Sequence, residues 1–416
     1  MQFQLQYGKS IIPVSVPDSC SIHILAPKSP EPSASALAIL QQALEHPLHF
    51  SFPEQPIRSV AIAINDKTRP VPHDAILPPL LNWLEKRGIQ QKQIVFLIAT
   101  GTHVPISSEE YHLCLPEAIS QKYQVRSHDA DSPDLVYLGK THIGTPVWVN
   151  AEFFNADLRI VVGNIEPHHF MGFSGGMKTA AIGLAGRETI NANHALLLHP
   201  NSRTGLFENN PMRCDVEEIG RMMGVHFALN VVMNAKKEIL AAFAGNPLRV
   251  MEQSMPLVKD SNCVKAPECC DLVIASAGGY PKDINFYQSQ KALTHAAMLT
   301  RDGGTVILLA ACPEGIGSRG YEQFIAGMQS HDEAYDRFKK QGFQVGPHKA
   351  FLVARDARRV HVLLKSEIPE SDVRRLLIDP IAEPQAAIDR VLKSLPANAS
   401  VGIMPISTIT IPEISR

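Results

Sequence analysis

Four polar segments of this 416-residue sequence carry side chains able to fix an anion or move a proton. They are Asn65-Asp66-Lys67-Thr68-Arg69-Pro70, Thr100-Gly101-Thr102-His103-Val104-Pro105, Gly163-Asn164-Ile165-Glu166-Pro167-His168-His169 and Gly278-Gly279-Tyr280-Pro281-Lys282-Asp283. An imidazole near its ordinary pKa takes and gives protons at neutral pH, and a guanidinium grips a carboxylate or phosphate through a two-pronged contact. The third segment continues into Gly172-Phe173-Ser174-Gly175-Gly176-Met177-Lys178-Thr179, a Gly-rich turn whose backbone amides are able to approach an anionic ligand closely. It is not a triphosphate loop, because Met177 separates Gly176 from Lys178 where a Walker A sequence needs Gly-Lys-Ser/Thr. A formal GxGxxG at Gly315 to Gly320 is also incomplete, since the HDEAYDRF stretch beyond it reads as helix and no strand ends there on the required acid.

Each of these segments directly follows an apolar run of β type, which is where open α/β sheets hold their ligands. The runs are SVAIAIN (59–65), IVFLIAT (94–100), LRIVVGN (158–164) and DLVIASAGG from about 270, and helical patterns near 36–46, 73–88 and 286–300 alternate with them. TVILLAAC, AFLVAR, VHVLLKS and VGIMP read as further strands, with helices across 320–341 and 384–394, while FQLQY and IIPVSV around Tyr7-Gly8 read as an N-terminal hairpin. This is an α/β pattern of two doubly wound, Rossmann-like domains with mostly parallel sheets. The polar, proline-bearing stretch 255–268 marks the boundary, giving domains 1–262 and 263–416 with an active site expected in the cleft between them.

Bulk composition excludes several classes. With 39 basic and 41 acidic residues the formal charge is −2, so there is no one-signed field for nucleic acid or an anionic membrane. The N-terminal stretch lacks a charged region leading into an apolar one, and no apolar run reaches membrane-spanning length, which points to a cytoplasmic protein. Seven scattered cysteines without paired CxxC spacing fit neither a disulfide framework nor a structural zinc site.

Taken together, the Asp66 to Pro70 element, Gly101-Thr102-His103, the string EPHHFMGFSGGMK (166–178), His194 in NANHALL and YQSQK (287–291) resemble the nickel-dependent lactate racemase family along nearly the whole chain. The resemblance implies a racemase or C2-epimerase of a 2-hydroxy acid. It places on Lys178 a covalently attached nickel pincer nucleotide, pyridinium-3-thioamide-5-thiocarboxylic acid mononucleotide, built by other enzymes of the host. By the same resemblance His194 is the nickel ligand, and His103 and His168 are the acid/base pair, one for each face of the substrate carbon. Arg69, Tyr287 and Lys291 fall on substrate-binding positions, and Asp66, Ser174, Gly175, Gly176 and Gln288 around the cofactor. Asp66 is left between orienting a histidine and bonding the cofactor, and His169 is read as structural.

Lactate-handling members carry a tryptophan in the C-terminal domain, whereas Trp83 and Trp148 both lie in the N-terminal half. Malate, a sugar acid, a longer aliphatic and an aryl hydroxy acid are therefore all open as substrates. Two other readings compete: a zinc hydrolase using His103, His168 and His194 as ligands, and a non-catalytic protein that binds a hydroxy acid or nucleotide.

Overall fold

The computed structural model describes residues 1–234 and 236–415. The chain folds as two compact units: a middle unit, Ser29–Ser261, and a terminal unit that joins Met1–Lys28 to Asn262–Arg416. The expected domains 1–262 and 263–416 place residues 1–28 with the middle of the chain. They belong instead to the terminal unit, because Ser21–Ile24 pairs in parallel with Ser400–Met404 at the edge of that unit's sheet.

In the middle unit six strands lie in the order Ile239–Gly245, Phe227–Met233, Leu158–Asn164, Val60–Asn65, Ile94–Ala99, Gln124–Ser127. All neighbours are parallel except the Ile239–Gly245 edge strand. Central strands such as VAIAIN are buried on both faces, which is why they read as unbroken apolar runs rather than as alternating ones. Their Val and Ile side chains pack on Ile76, Leu77, Leu80, Trp83 and Leu84 of the helix His73–Glu85, and Trp83 stacks on Phe227 at 4.9 Å. From Val60–Asn65 the chain builds Ile94–Ala99 and Gln124–Ser127 on one side, then returns to build Leu158–Asn164 on the other. The carboxyl ends of Val60–Asn65 and Leu158–Asn164 thus flank a topological switch point.

The terminal unit holds a second six-stranded sheet, all parallel, in the order Asp379–Pro380, His361–Lys365, Thr300–Leu309, Cys270–Ser276, Ser400–Met404, Ser21–Ile24. The N-terminal hairpin pairs Gln2–Tyr7 with Ser10–Ser15, its turn closed by Gly8 at φ +54°. One sequence expectation fails here. AFLVAR is not a strand but lies in the helix Pro347–Ala357, which is buried on nearly every face, so no helical periodicity of polar residues shows in the sequence. The boundary stretch 255–268 spans the division between the two units at Ser261 and Asn262, and most of it is regular structure. Residues up to 262 continue the helix Pro247–Asn262, with Pro256 inside it, and Cys263–Ala266 forms a strand beside Ile411–Ile414. Among the described residues no helix is long and apolar enough to cross a membrane.

Candidate active site

The turn after Val60–Asn65 is organised around one buried carboxylate. Asp66 Oδ1 accepts from the Thr68 backbone N–H (3.2 Å) and hydroxyl (2.7 Å), and Oδ2 accepts from His103 Nδ1 at 2.6 Å. Arg69 Nη1 lies 3.9 Å from Oδ1. Burial alone would raise the Asp66 pKa, but the hydrogen bonds from His103 and Thr68 and the charge of Arg69 outweigh it and hold the carboxyl below its usual range. Asp66 is therefore an anion that fixes the proton of His103 on Nδ1 and makes Nε2 the acceptor. The His103 side chain, 44% exposed, presents that acceptor to solvent. The contact with His103 is of the orienting kind, one of the two roles open for Asp66.

The segment after Leu158–Asn164 makes a small hairpin, Pro167–His168 pairing with Gly172–Phe173, and then turns into the short helix Lys178–Ala181. The Ser174 hydroxyl donates to the Asn164 carbonyl (2.9 Å) and accepts from Glu166 N–H (3.0 Å). Gly176 N–H donates to Asn230 Oδ1 at 2.7 Å. Gly175 and Gly176 have φ of +80° and +58°, and a Cβ on Gly176 would sit 2.7 Å from Met251 and 2.9 Å from Arg213. Ser174 and Gly176, assigned from sequence to the cofactor, thus bind the loop to the protein itself, and the glycines supply close approach and positive φ. Two residues the sequence reading missed hold the same loop. Arg213, 1% exposed, donates to the carbonyls of Phe173 and Gly175 (3.2 Å each) and pairs with Glu217 at 2.5 Å. Asn230 interrupts the apolar strand FALNVVM, a polar residue inside a buried run that was a usable signal.

Lys178, which opens the short helix, is 8% exposed. Burial first, then the charges of Arg69 and Arg213, push its ammonium down to about 7, against the opposing pull of Glu166 and Asp66. At neutral pH a large fraction is the uncharged, nucleophilic amine. His194, on the helix Arg187–Ala195, is pushed down to about 3 by burial and by the charges of Lys178 and Arg69. Its Nδ1 donates to the Ile190 carbonyl at 2.9 Å, which leaves the lone pair on Nε2. A neutral imidazole oriented through its other nitrogen is how proteins present histidine to a metal. His168 and His169 stack at 4.7 Å, and Phe170 sets its edge against both and against His194 at 5.5 Å. Met171 N–H donates to His168 Nδ1 at 3.3 Å, so the His168 proton sits on Nε2, the reverse of His103. Among the described residues no three of His, Cys, Asp or Glu are grouped to hold a metal ion. A single imidazole suits a metal that arrives with its other donors.

In the terminal unit Tyr287, Gln288 and Lys291 occupy the first turns of the helix Phe286–Leu299, capped by Asn285, whose side chain accepts from Gln288 N–H at 3.0 Å. Gln288 is exposed and Tyr287 half-buried, with its phenol pKa raised by that burial. The four-residue spacing puts Tyr287 and Lys291 on one helix face.

Residues 7–205 match the lactate racemase N-terminal domain family and residues 265–410 the lactate racemase C-terminal domain family. The lactate racemase of Thermoanaerobacterium thermosaccharolyticum is 32% identical over 347 residues, 82% of this chain and 81% of that protein. That of Lactiplantibacillus plantarum is 32% identical over 343 residues, 80% of each chain. The apoprotein structure of the T. thermosaccharolyticum enzyme superposes with a TM-score of 0.91 at 28% identity, covering 99% of this chain and 100% of the other. A structure from Thermotoga maritima, 18% identical with a TM-score of 0.64 over 93% of this chain and 100% of its own, shares the fold. With both family domains matched in order and this degree of identity over four-fifths of its length, the chain belongs to the lactate racemase family.

Proposed function

We propose that this protein is an isomerase that inverts the hydroxyl-bearing carbon of a small 2-hydroxy acid, a racemase or C2-epimerase that uses a nickel pincer nucleotide held on Lys178. The observation that carries this reading is a buried lysine whose ammonium is pushed down to about 7 together with a buried imidazole whose Nδ1 donates to the Ile190 carbonyl, so that its lone pair is fixed on Nε2. Lys178 is suited to covalent attachment, and His194 to one coordination position of a metal whose remaining donors belong to the attached group; imidazole is an apt ligand for nickel(II). When bound, that group would supply an electrophilic ring that accepts and returns the substrate hydride, and a Lewis acid beside it.

The chain's own residues do the proton work. His103, backed by Asp66, takes the hydroxyl proton at Nε2 and shares the resulting charge with the carboxylate. His168 begins with its proton on Nε2 and is the donor for the opposite face. Two histidines in opposite tautomers allow the sites to exchange roles when the mirror-image substrate binds. Arg69, half-exposed and already close to Asp66, is the carboxylate anchor in this reading, and Tyr287 and Lys291 are substrate-binding residues. Gln288 is proposed to contact the cofactor.

The test is intact-mass and peptide-mapping analysis after co-expression with cofactor-building enzymes, followed by chiral chromatography of a hydroxy-acid panel. The expected result is an adduct on the Lys178 peptide, nickel near stoichiometry, and stereoinversion that Lys178→Ala abolishes. An adduct elsewhere, or normal inversion by Lys178→Ala, would overturn the assignment.

A further inference from the structure

Lys178 and His194 sit on two short elements of the middle unit. Lys178 opens a helix of four residues, and His194 lies in the last turn of a helix of nine, lengths that packing rather than propensity must stabilise. One longer helix, Pro211–Met222, reaches both. Arg213, Glu217 and Gly220 recur at spacings of four and three and share one of its faces. On that face Arg213 holds the Phe173 and Gly175 carbonyls, and a Cβ on Gly220 would meet the Met177 Cβ at 2.4 Å. The helix backbone thus lies directly against the residue before Lys178.

Asp215, two residues from Arg213 and so on the opposite face, is fully buried. Its Oδ2 accepts from Asn193 Nδ2 at 2.9 Å and from the Thr145 hydroxyl at 3.0 Å, and its Oδ1 accepts from the Thr141 hydroxyl at 2.7 Å. Asn193 Nδ2 also donates to the Met212 carbonyl at 3.0 Å. Asn193, likewise fully buried, is the residue before His194, and it ties the end of that helix to Pro211–Met222. The start of the same helix is tied elsewhere, where Trp148 N–H donates to Thr189 Oγ1 at 2.8 Å.

We propose that the helix Pro211–Met222 is the gauge that sets the separation of Lys178 from His194, with Asp215, acting through Asn193, as the positioning residue for the metal ligand. This rests on the roles given to Lys178 and His194 in the reading above. A group attached at one residue and coordinated by another needs both anchors held at its own span, and neither anchoring element is long enough to hold itself. The opposite faces of one helix supply that fixed distance.

The experiment follows nickel loss from the cofactor-loaded full chain under excess EDTA, well below the thermal midpoint of every variant. Asp215→Ala should release nickel about 10-fold faster than wild type, the scale of lost support behind a metal-ligating histidine, with the Lys178 adduct still present by mass. Asp215→Asn should stay near wild type. Its amide oxygen still accepts from Asn193 and Thr145, and its NH2 meets the Thr141 hydroxyl, which rotates to accept. Asn193→Ala, with the same acceleration expected, is the substitute should Asp215→Ala not fold. A wild-type rate of nickel loss in the alanine variants, or equally fast loss from Asp215→Asn, overturns the proposal. Hydrogen exchange on the cofactor-free chain separates this inference from the cofactor reading. Amides of Arg187–Ala195 should exchange about 10-fold faster in Asp215→Ala, the worth of one hydrogen bond, with those of Val60–Asn65 unchanged. If the wild type takes no adduct on Lys178 yet this local change appears, the cofactor reading fails and the link between the helices stands. If exchange over Arg187–Ala195 is unaltered, the link is refuted whatever the enzyme catalyses.

Discussion

Lys178→Met should make the cofactor-free protein more stable while destroying its activity, and the size of the effect follows from the site. The ammonium titrates near 7 in the folded chain, against about 10.4 in an unfolded one. Because the folded value is depressed, the unfolded state binds more protons below about pH 10.4, and stability is lost as pH falls from there through 7. At about 1.36 kcal/mol per pH unit, three units amount to roughly 4 kcal/mol of destabilisation at neutral pH. Methionine matches the lysine stem and carries no charge to desolvate. Allowing for relaxation around the amine, the variant should gain about 2–4 kcal/mol at pH 7 and little at pH 10. Urea denaturation of both cofactor-free proteins at the two pH values measures this directly. A variant less stable than wild type at pH 7, or a difference unchanged at pH 10, would refute the account of Lys178 as a buried amine whose pKa is depressed by burial.

Asp66→Asn should release the His103 tautomer and lower kcat/KM by about 10–100-fold, the worth of one charged hydrogen bond. Because mirror-image substrates are equal in free energy, kcat/KM must fall equally in both directions, and progress curves started from each enantiomer check it. His194→Ala should cut bound nickel, read by metal analysis, while the mass adduct on Lys178 persists. In the cofactor-free protein the depressed His194 pKa of about 3 means that stability is lost as pH falls from about 6.5 towards 3, a dependence that His194→Ala should weaken in acid titrations of the thermal midpoint. Gly172→Ala should cost about 3 kcal/mol or more, visible in thermal denaturation, because its Cβ would lie 2.1 Å from the Leu206 carbonyl oxygen at a φ of +74°.

The sheets were legible in the sequence because buried parallel strands leave a plain trace. SVAIAIN, IVFLIAT and LRIVVGN appear as the strands Val60–Asn65, Ile94–Ala99 and Leu158–Asn164, and the polar segments after them stand at the switch point. Burial also caused the clearest misreading, since a helix covered on nearly all sides, Pro347–Ala357, carries the same apolar signature as a strand. The Asp66–His103 contact joins residues 37 apart across two loops and has no local pattern to announce it. A Gly-rich turn before a lysine looks alike in sequence whether its polar groups face a phosphate or the protein, so the contacts of Ser174 to Asn164 and of Gly176 to Asn230 have no trace there. Arg213 escaped notice because an arginine in a helix is ordinarily a surface residue, and only its burial against the Phe173 and Gly175 carbonyls marks it out.

Ser21–Ile24, paired with Ser400–Met404, bears on how this protein is made. Synthesis delivers Ser21–Ile24 before, and its partner Ser400–Met404 after, every residue of the middle unit. The middle unit is continuous in sequence and can fold as it leaves the ribosome, whereas Ser21–Ile24 must wait for Ser400–Met404 before it has a place to dock. The slow step in biogenesis should therefore be closure of this long-range parallel pair, a pairing of high contact order. Until it happens the nascent chain displays two unmatched β-edges, the kind of surface that chaperones cover.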